Sequence, residues 1–299
     1  MSSITKYVIS FACLLSVGAS TFANEAPPKS EIQLAFEAAR QVAQEGPAEV
    51  KLSEQAKLKL PENFVYVPAK ESAAIMRAWG NRPSPDLLGL IFPMGKDQWF
   101  VVIDFDKSGY VKDDDAKDWN ADELLDSLKQ GTEQQNAERR ERGIPEMEII
   151  GWVEKPHYDA ATHRLVWSVS SKDKGAADTA EKGINYNTYA LGREGYVSMN
   201  LVTDLSVIEQ HRPIAKGLLA NLEFNEGKRY ADFDSSTDKV AAYGLTALVA
   251  GAAAKKLGLF AAAAVFLVKF WKLLAIAVVA VGGGAFKWWK RKQDKTPAA

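Results

Sequence analysis

The stretch Gly151-Trp-Val-Glu-Lys-Pro-His-Tyr-Asp-Ala-Ala-Thr-His-Arg-Leu-Val-Trp-Ser-Val-Ser170 decides the fold. Trp152, Pro156 and Tyr158 alternate with polar positions, and after the turn residues Leu165, Trp167 and Val169 do the same. Side chains on a strand alternate between its two faces. With a loop of about four residues the two sets fall on one face, as a half-buried antiparallel hairpin requires. Residues 184–191 and 196–202 form a second such pair around Gly192-Arg193-Glu194-Gly195, so β-structure is expected from about 148 to 203.

Moving outward, the β-branched and aromatic runs at 49–52, 56–60 and 64–67 read as strands, and 87–92 with 99–105 as a hairpin around Pro93-Met94-Gly95-Lys96-Asp97. Ile32, Leu34, Ala35, Ala38, Ala39 and Val42 keep helical spacing until Gly46-Pro47. A second helix is expected over 72–79, ending at Gly80-Asn81. A third starts at Asn120, which can cap the first turn with Glu123 as its partner, and stops at Gly131. The charged segment 132–143 reads as a solvated helix or arm, and a helix over 206–222 carries Pro213 as a kink. Mostly antiparallel strands with a few helices define an α+β domain.

The two ends point to export and anchoring. Residues 1–23 have a short positive start, an apolar run and small residues Thr21 and Ala23 at the positions of a signal-peptide cleavage site. Cys13, the only cysteine, lies in that run, so the mature chain has no disulfide and no thiol chemistry. From Val240 to Phe286 the chain is dominated by small and apolar residues, followed by the basic, aromatic 287–292. Residues 240–299 hold nine Lys/Arg against one Asp, a net +8, leaving −10 on 24–239 in a chain of net −1. An acidic exported domain (24–239), a hydrophobic anchor region (240–286) and a basic cytoplasmic tail (287–299) follow. One tilted transmembrane helix within 257–286 is expected, residues 240–254 approaching the outer surface. Lys269 and Lys272 interrupt the apolar region and are candidate contacts inside an oligomer.

The sharpest chemical pattern is Asp104-Phe-Asp106-Lys-Ser108-Gly109-Tyr-Val-Lys112-Asp-Asp-Asp115. On the twelve-position calcium loop, Asp104, Asp106, Ser108 and Asp115 occupy ligand positions and Gly109 the turn position. Lys112 at position nine and the missing terminal Glu oppose calcium there, and the preceding segment reads as a strand. His157, His163 and His211 have no zinc spacing. No nucleophile elbow or phosphate loop occurs, and the acidic domain excludes nucleic acid as a partner.

Several peptides together carry a family resemblance: Trp79-Gly-Asn81, Gly109-Tyr-Val-Lys-Asp-Asp-Asp-Ala116, Gly151-Trp-Val-Glu-Lys-Pro-His-Tyr-Asp159, Ile184-Asn-Tyr186, Leu191-Gly-Arg193, Gly227-Lys-Arg-Tyr230 and Asp232-Phe233. In this order, before a hydrophobic C-terminus, they resemble the bacterial membrane-anchored proteins of domain of unknown function 2167. The resemblance implies export and anchoring and transfers no catalytic residue. The expected role is a non-enzymatic binding, sensing or scaffolding module on the outer side of the bacterial inner membrane, with the lipid bilayer and an envelope protein as partners. A metal-assisted hydrolase using the Asp104–Asp115 acids is the alternative, and a self-associating membrane component the third reading.

Overall fold

The computed structural model describes residues 30–250. The chain order is α1 (Glu31–Val42), β1 (Gln44–Glu45), β2 (Ala48–Leu52), β3 (Ala56–Leu60), β4 (Phe64–Pro68), α2 (Ala69–Ala78), β5 (Leu87–Pro93) and β6 (Phe100–Asp106). Then follow α3 (Ala121–Glu141), β7 (Met147–Asp159), β8 (Arg164–Asp173), β9 (Gly183–Leu191), β10 (Tyr196–Asp204), α4 (Ile208–Ala220), β11 (Leu222–Phe224) and α5 (Thr246–Ala250). Eight strands form one sheet in the order β1-β4-β5-β6-β10-β9-β8-β7, and β11-β3-β2 form a second. The ladders of both sheets are antiparallel, so the α+β reading holds.

The hairpin that decided the fold closes as read. Asp159 pairs with Arg164 and Tyr158 with Leu165, leaving a four-residue loop, and Trp152 meets Trp167 edge-on at 6.1 Å. Three register shifts in β7 kink this outer strand, a common way of blunting a sheet edge.

Strand alternation builds a different layer on each face. On the first, Val101, Ile103, Val197, Met199 and Leu201 pack against Val50, Leu52, Leu58 and Leu60 of the small sheet and Leu218 of α4. Each such side chain contributes roughly 1.5–3 kcal/mol by leaving water. The second face carries two separate cores. One joins α1 and α2 to β4 and β5 through Ala39, Ile75, Val67 and Leu90. The other joins Leu124, Leu165, Trp167, Tyr196 and Tyr230 to Leu245, Leu248 and Val249. Between these cores the floor turns polar: Asp104 pairs with Ser198 across β6 and β10, and Asn200 with Asn187 across β10 and β9, all half-buried.

Two elements differ from the sequence reading. Helix α3 does not stop at Gly131 but continues to Glu141. An interior glycine costs about 1 kcal/mol, which tertiary contacts outweigh. Asn136 is fully buried, donating to Met147 O (2.9 Å) and accepting from Met147 N (2.9 Å), while Arg139 donates to Pro145 O (2.7 Å). Residues 240–250, read as the start of the anchor region, pack on the domain. Val240 forms a parallel bridge with Tyr110, and Leu245 and Val249 are fully buried. Their apolar composition serves the second-face core as well as it would serve a bilayer. No helix among the described residues is long and apolar enough to cross a membrane. The signal sequence, the expected crossing within 257–286, the basic tail, Lys269 and Lys272 lie outside the described residues.

Candidate functional site

Several of the peptides that carry the family resemblance, distant in sequence, meet along one seam, whereas Trp79 lies in the core of α1 and α2 and Ile184 and Tyr186 in the first-face core. Gly109 adopts a left-handed φ of +102°, and a β-carbon there would sit 2.6 Å from Lys239 O, so only glycine lets the two chains touch. Contact is then made by backbone. Tyr110 N donates to Lys239 O (2.8 Å), Ala241 N to Tyr110 O (2.9 Å) and Leu245 N to Lys112 O (3.1 Å).

Side chains lock the seam. The Tyr110 ring is sandwiched between Tyr230 (4.3 Å) and Phe233 (3.9 Å), both stacked, and His163 lies 4.1 Å from the Tyr230 ring. Tyr230 Oη donates to Val111 O at 3.0 Å. Tyr158 Oη donates to Asp113 Oδ2 at 2.6 Å and lies 3.1 Å from His163 Nδ1. The two carboxylate oxygens of Asp115 each accept a backbone N–H, from Leu245 and Thr246, at 3.0 Å. They cap the start of α5, to which Trp119 Nε1 adds a hydrogen bond at Thr246 Oγ1 (2.9 Å). Arg193 grips Asp238 with two bonds of 2.7 and 2.9 Å, a fork-to-carboxylate pair that holds the Asp238 carboxyl down at about 2.

This chemistry is that of a fastener. Burial and donation to Asp113 push the Tyr158 phenol well above its ordinary range, and burial with the Tyr110 contact does the same for Tyr230. Both phenols are therefore neutral donors rather than nucleophiles or bases at physiological pH.

A second group of polar residues adjoins the seam. Burial pushes the Asp104 carboxyl up to about 6, with the Asp86 and Asp106 charges adding to it and a hydrogen bond from Ser84 opposing it. Asp104 Oδ1 and Ser108 Oγ are sealed from solvent without a hydrogen-bond partner. Asp106 accepts from Tyr196 Oη at 2.7 Å.

The four residues read as a calcium loop are thus distributed. Asp104 and Asp106 stand on β6, Ser108 lies beyond its end, and Asp115 turns away to cap α5. Among the described residues no group of three or more His, Cys, Asp or Glu is arranged to hold a metal ion. Sequence reasoning missed Asp86, which the β5–β6 pairing brings beside Asp104, and the Arg193–Asp238 pair. Their separation along the chain gave no local pattern, and of these residues the family peptides include Arg193 alone.

An antiparallel α+β domain whose main sheet is covered on both faces and whose C-terminal segment is clasped to it is the class these features define. The chain belongs to the family described as Protein of unknown function (DUF2167), whose model matches residues 44–282. A search of curated proteins gives no match. Among solved structures the chain is similar to cyanobacterial PsbP (CyanoP) from Synechocystis sp. PCC 6803, at 8% identity and TM-score 0.37, covering 61% of this chain and 91% of that one. It is also similar to the Ran-binding protein Mog1p of Saccharomyces cerevisiae, at 10% identity and TM-score 0.36, covering 62% and 98%.

Proposed function

We propose that this protein is a non-enzymatic binding or scaffolding module of the bacterial envelope, tethered on the outer side of the inner membrane by its apolar C-terminal region. The observation that carries this reading is the clasp. Side chains from the β7–β8 turn, the loop after β6 and the loop after β9 meet residues 228–250, and Tyr158 of β7 backs them by donating to Asp113 in the loop after β6. These residues immediately precede the stretch expected to enter the bilayer. A chain fastened there presents its domain at a fixed place relative to the membrane, which suits a platform for a partner. The neutral, hydrogen-bonded state of the clasp phenols supports the same reading, because those groups are engaged in holding the chain. The expected partner is an envelope protein.

Crosslinking in intact cells, followed by solubilisation and mass-spectrometric identification, tests the proposal. A reproducible envelope partner, lost when Tyr158→Phe and Arg193→Ala are combined, is the expected result. Recovery of self-crosslinks alone in the membrane fraction would favour the self-associating reading, and recovery from the soluble fraction would remove the tether.

A further inference from the structure

On the first face, away from the clasp, a histidine is enclosed with almost no polar company. His211 of α4 is 6% exposed, and its Nδ1 lies 2.6 Å from Thr203 Oγ1 of β10. The Trp99 ring faces it at 6.3 Å and 60°. Trp99 is itself 2% exposed, packs edge-on against Phe64 at 5.1 Å, and its buried Nε1 has no hydrogen-bond partner. Trp99 ends an exposed segment, 94–98, that links β5 to β6.

We propose that His211 is an acid-sensitive latch: protonation of its ring releases Trp99 and the 94–99 segment from the first-face core.

The reason is a shortage of acceptors. A neutral imidazole has one donor and one acceptor nitrogen, and Thr203 engages Nδ1 in either tautomer. The protonated ring has two donors, and the neighbouring indole supplies a third that already lacks an acceptor. An unpaired charge in such surroundings is strongly unfavourable. The carboxylates that act on the ring come from two elements: Asp97 on the linking segment and Asp204 at the end of β10, both at the exposed rim. Their attraction draws the cation outward, past Trp99.

The sign of the pH dependence follows. Burial holds the folded-state pKa of His211 below its ordinary 6.5, against the pull of Asp97 and Asp204. The stabilising neutral state is complete above that value and is lost progressively as pH falls below it. The latch is thus closed at neutral pH and opens on acidification. It does not rest on the tether or the binding role.

The test uses the full chain in nonionic detergent, labelled with 5-fluorotryptophan and followed by fluorine NMR. Trp99→Phe assigns the Trp99 signal by its loss. Between about pH 7.5 and 5, the Trp99 signal should leave its buried position and acquire a solvent-isotope shift, while Trp167, buried on the other face, stays buried. In His211→Gln, whose amide keeps the Thr203 contact and does not titrate, Trp99 should stay buried throughout. If that variant fails to fold, His211→Phe takes its place. A Trp99 signal that ignores pH in the native chain, or moves equally in the His211 variant, overturns the proposal.

Discussion

Replacing Asp104 with Asn should make the protein more stable at pH 8. The carboxyl sits on a half-buried strand face beside Asp86 and Asp106, and these surroundings raise its pKa from 3.8 to about 6. A shift of about two units at 1.36 kcal/mol each makes the ionised carboxylate destabilising by roughly 3 kcal/mol above pH 6. That penalty is relieved as pH falls through the folded-state pKa towards the unfolded value, because the folded protein then takes up the proton more readily than the unfolded chain. Asparagine keeps the shape and a polar group for Ser84 but carries no charge. It must still be desolvated, so a gain of about 2 kcal/mol is expected at pH 8, or roughly 4–8 °C in melting temperature for a domain of this size. By pH 5 the gain should shrink to a small remainder. Thermal unfolding of native and variant chains across pH 5–8 reads this directly. A variant that is less stable at pH 8, or a difference that does not change with pH, would refute the reasoning.

Tyr158→Phe removes a hydrogen bond to a carboxylate and should cost roughly 1.5–3 kcal/mol, with proteolytic cleavage within 228–250 becoming faster in limited digestion. Asp115→Ala leaves the Leu245 and Thr246 amides uncapped and should cost about 0.5–2 kcal/mol; hydrogen exchange at those two amides would rise while β10 stays protected. Gly109→Ala places a methyl against Lys239 O in a left-handed conformation, so a loss larger than that of Asp115→Ala is expected by urea unfolding. Millimolar calcium should leave the melting temperature unchanged, since Asp106 and Asp115 are already engaged by Tyr196, Leu245 and Thr246. An upward shift would show that the Asp104–Asp115 loop rearranges around the ion.

The strands were legible because β6 and β10 alternate between a fully buried first face and a half-buried second face, while β8, buried on both faces, still alternates Leu165, Trp167 and Val169 with smaller or polar residues from Val166 to Ser170. The β7–β8 pairing was legible at the turn and in which residues share a face, but the kinks of β7 shift the register beyond it, so Trp152 comes opposite Val169 rather than Ser171. What failed was what depends on contacts between distant residues. Gly131 reads locally as a helix stop, yet Asn136 and Arg139 bind the chain that follows α3 and carry the helix onward. Residues 240–250 read as the start of the anchor region, approaching the outer surface, because an apolar run has the same composition whether it nears lipid or packs on the Tyr196–Trp167 core. The calcium pattern misleads because linear spacing does not say that Asp104 and Asp106 share a strand face while Asp115 points to α5. While Trp79, Ile184 and Tyr186 belong to other cores, most of the family peptides marked the site without saying what it was for. Their meaning, as one clasp, appears when β7, the loop after β6 and the C-terminal segment are laid side by side.

The most direct test of the clasp is hydrogen exchange on the full chain in detergent, read at the amides of Tyr110, Ala241, Leu245 and Thr246. If the C-terminal segment is fastened as described, these four should exchange nearly as slowly as Ile103 and Met199 in the centre of the sheet. If they exchange as fast as the exposed segment 94–98, the domain does not hold the chain that leads out of it, and the fixed-platform account is wrong.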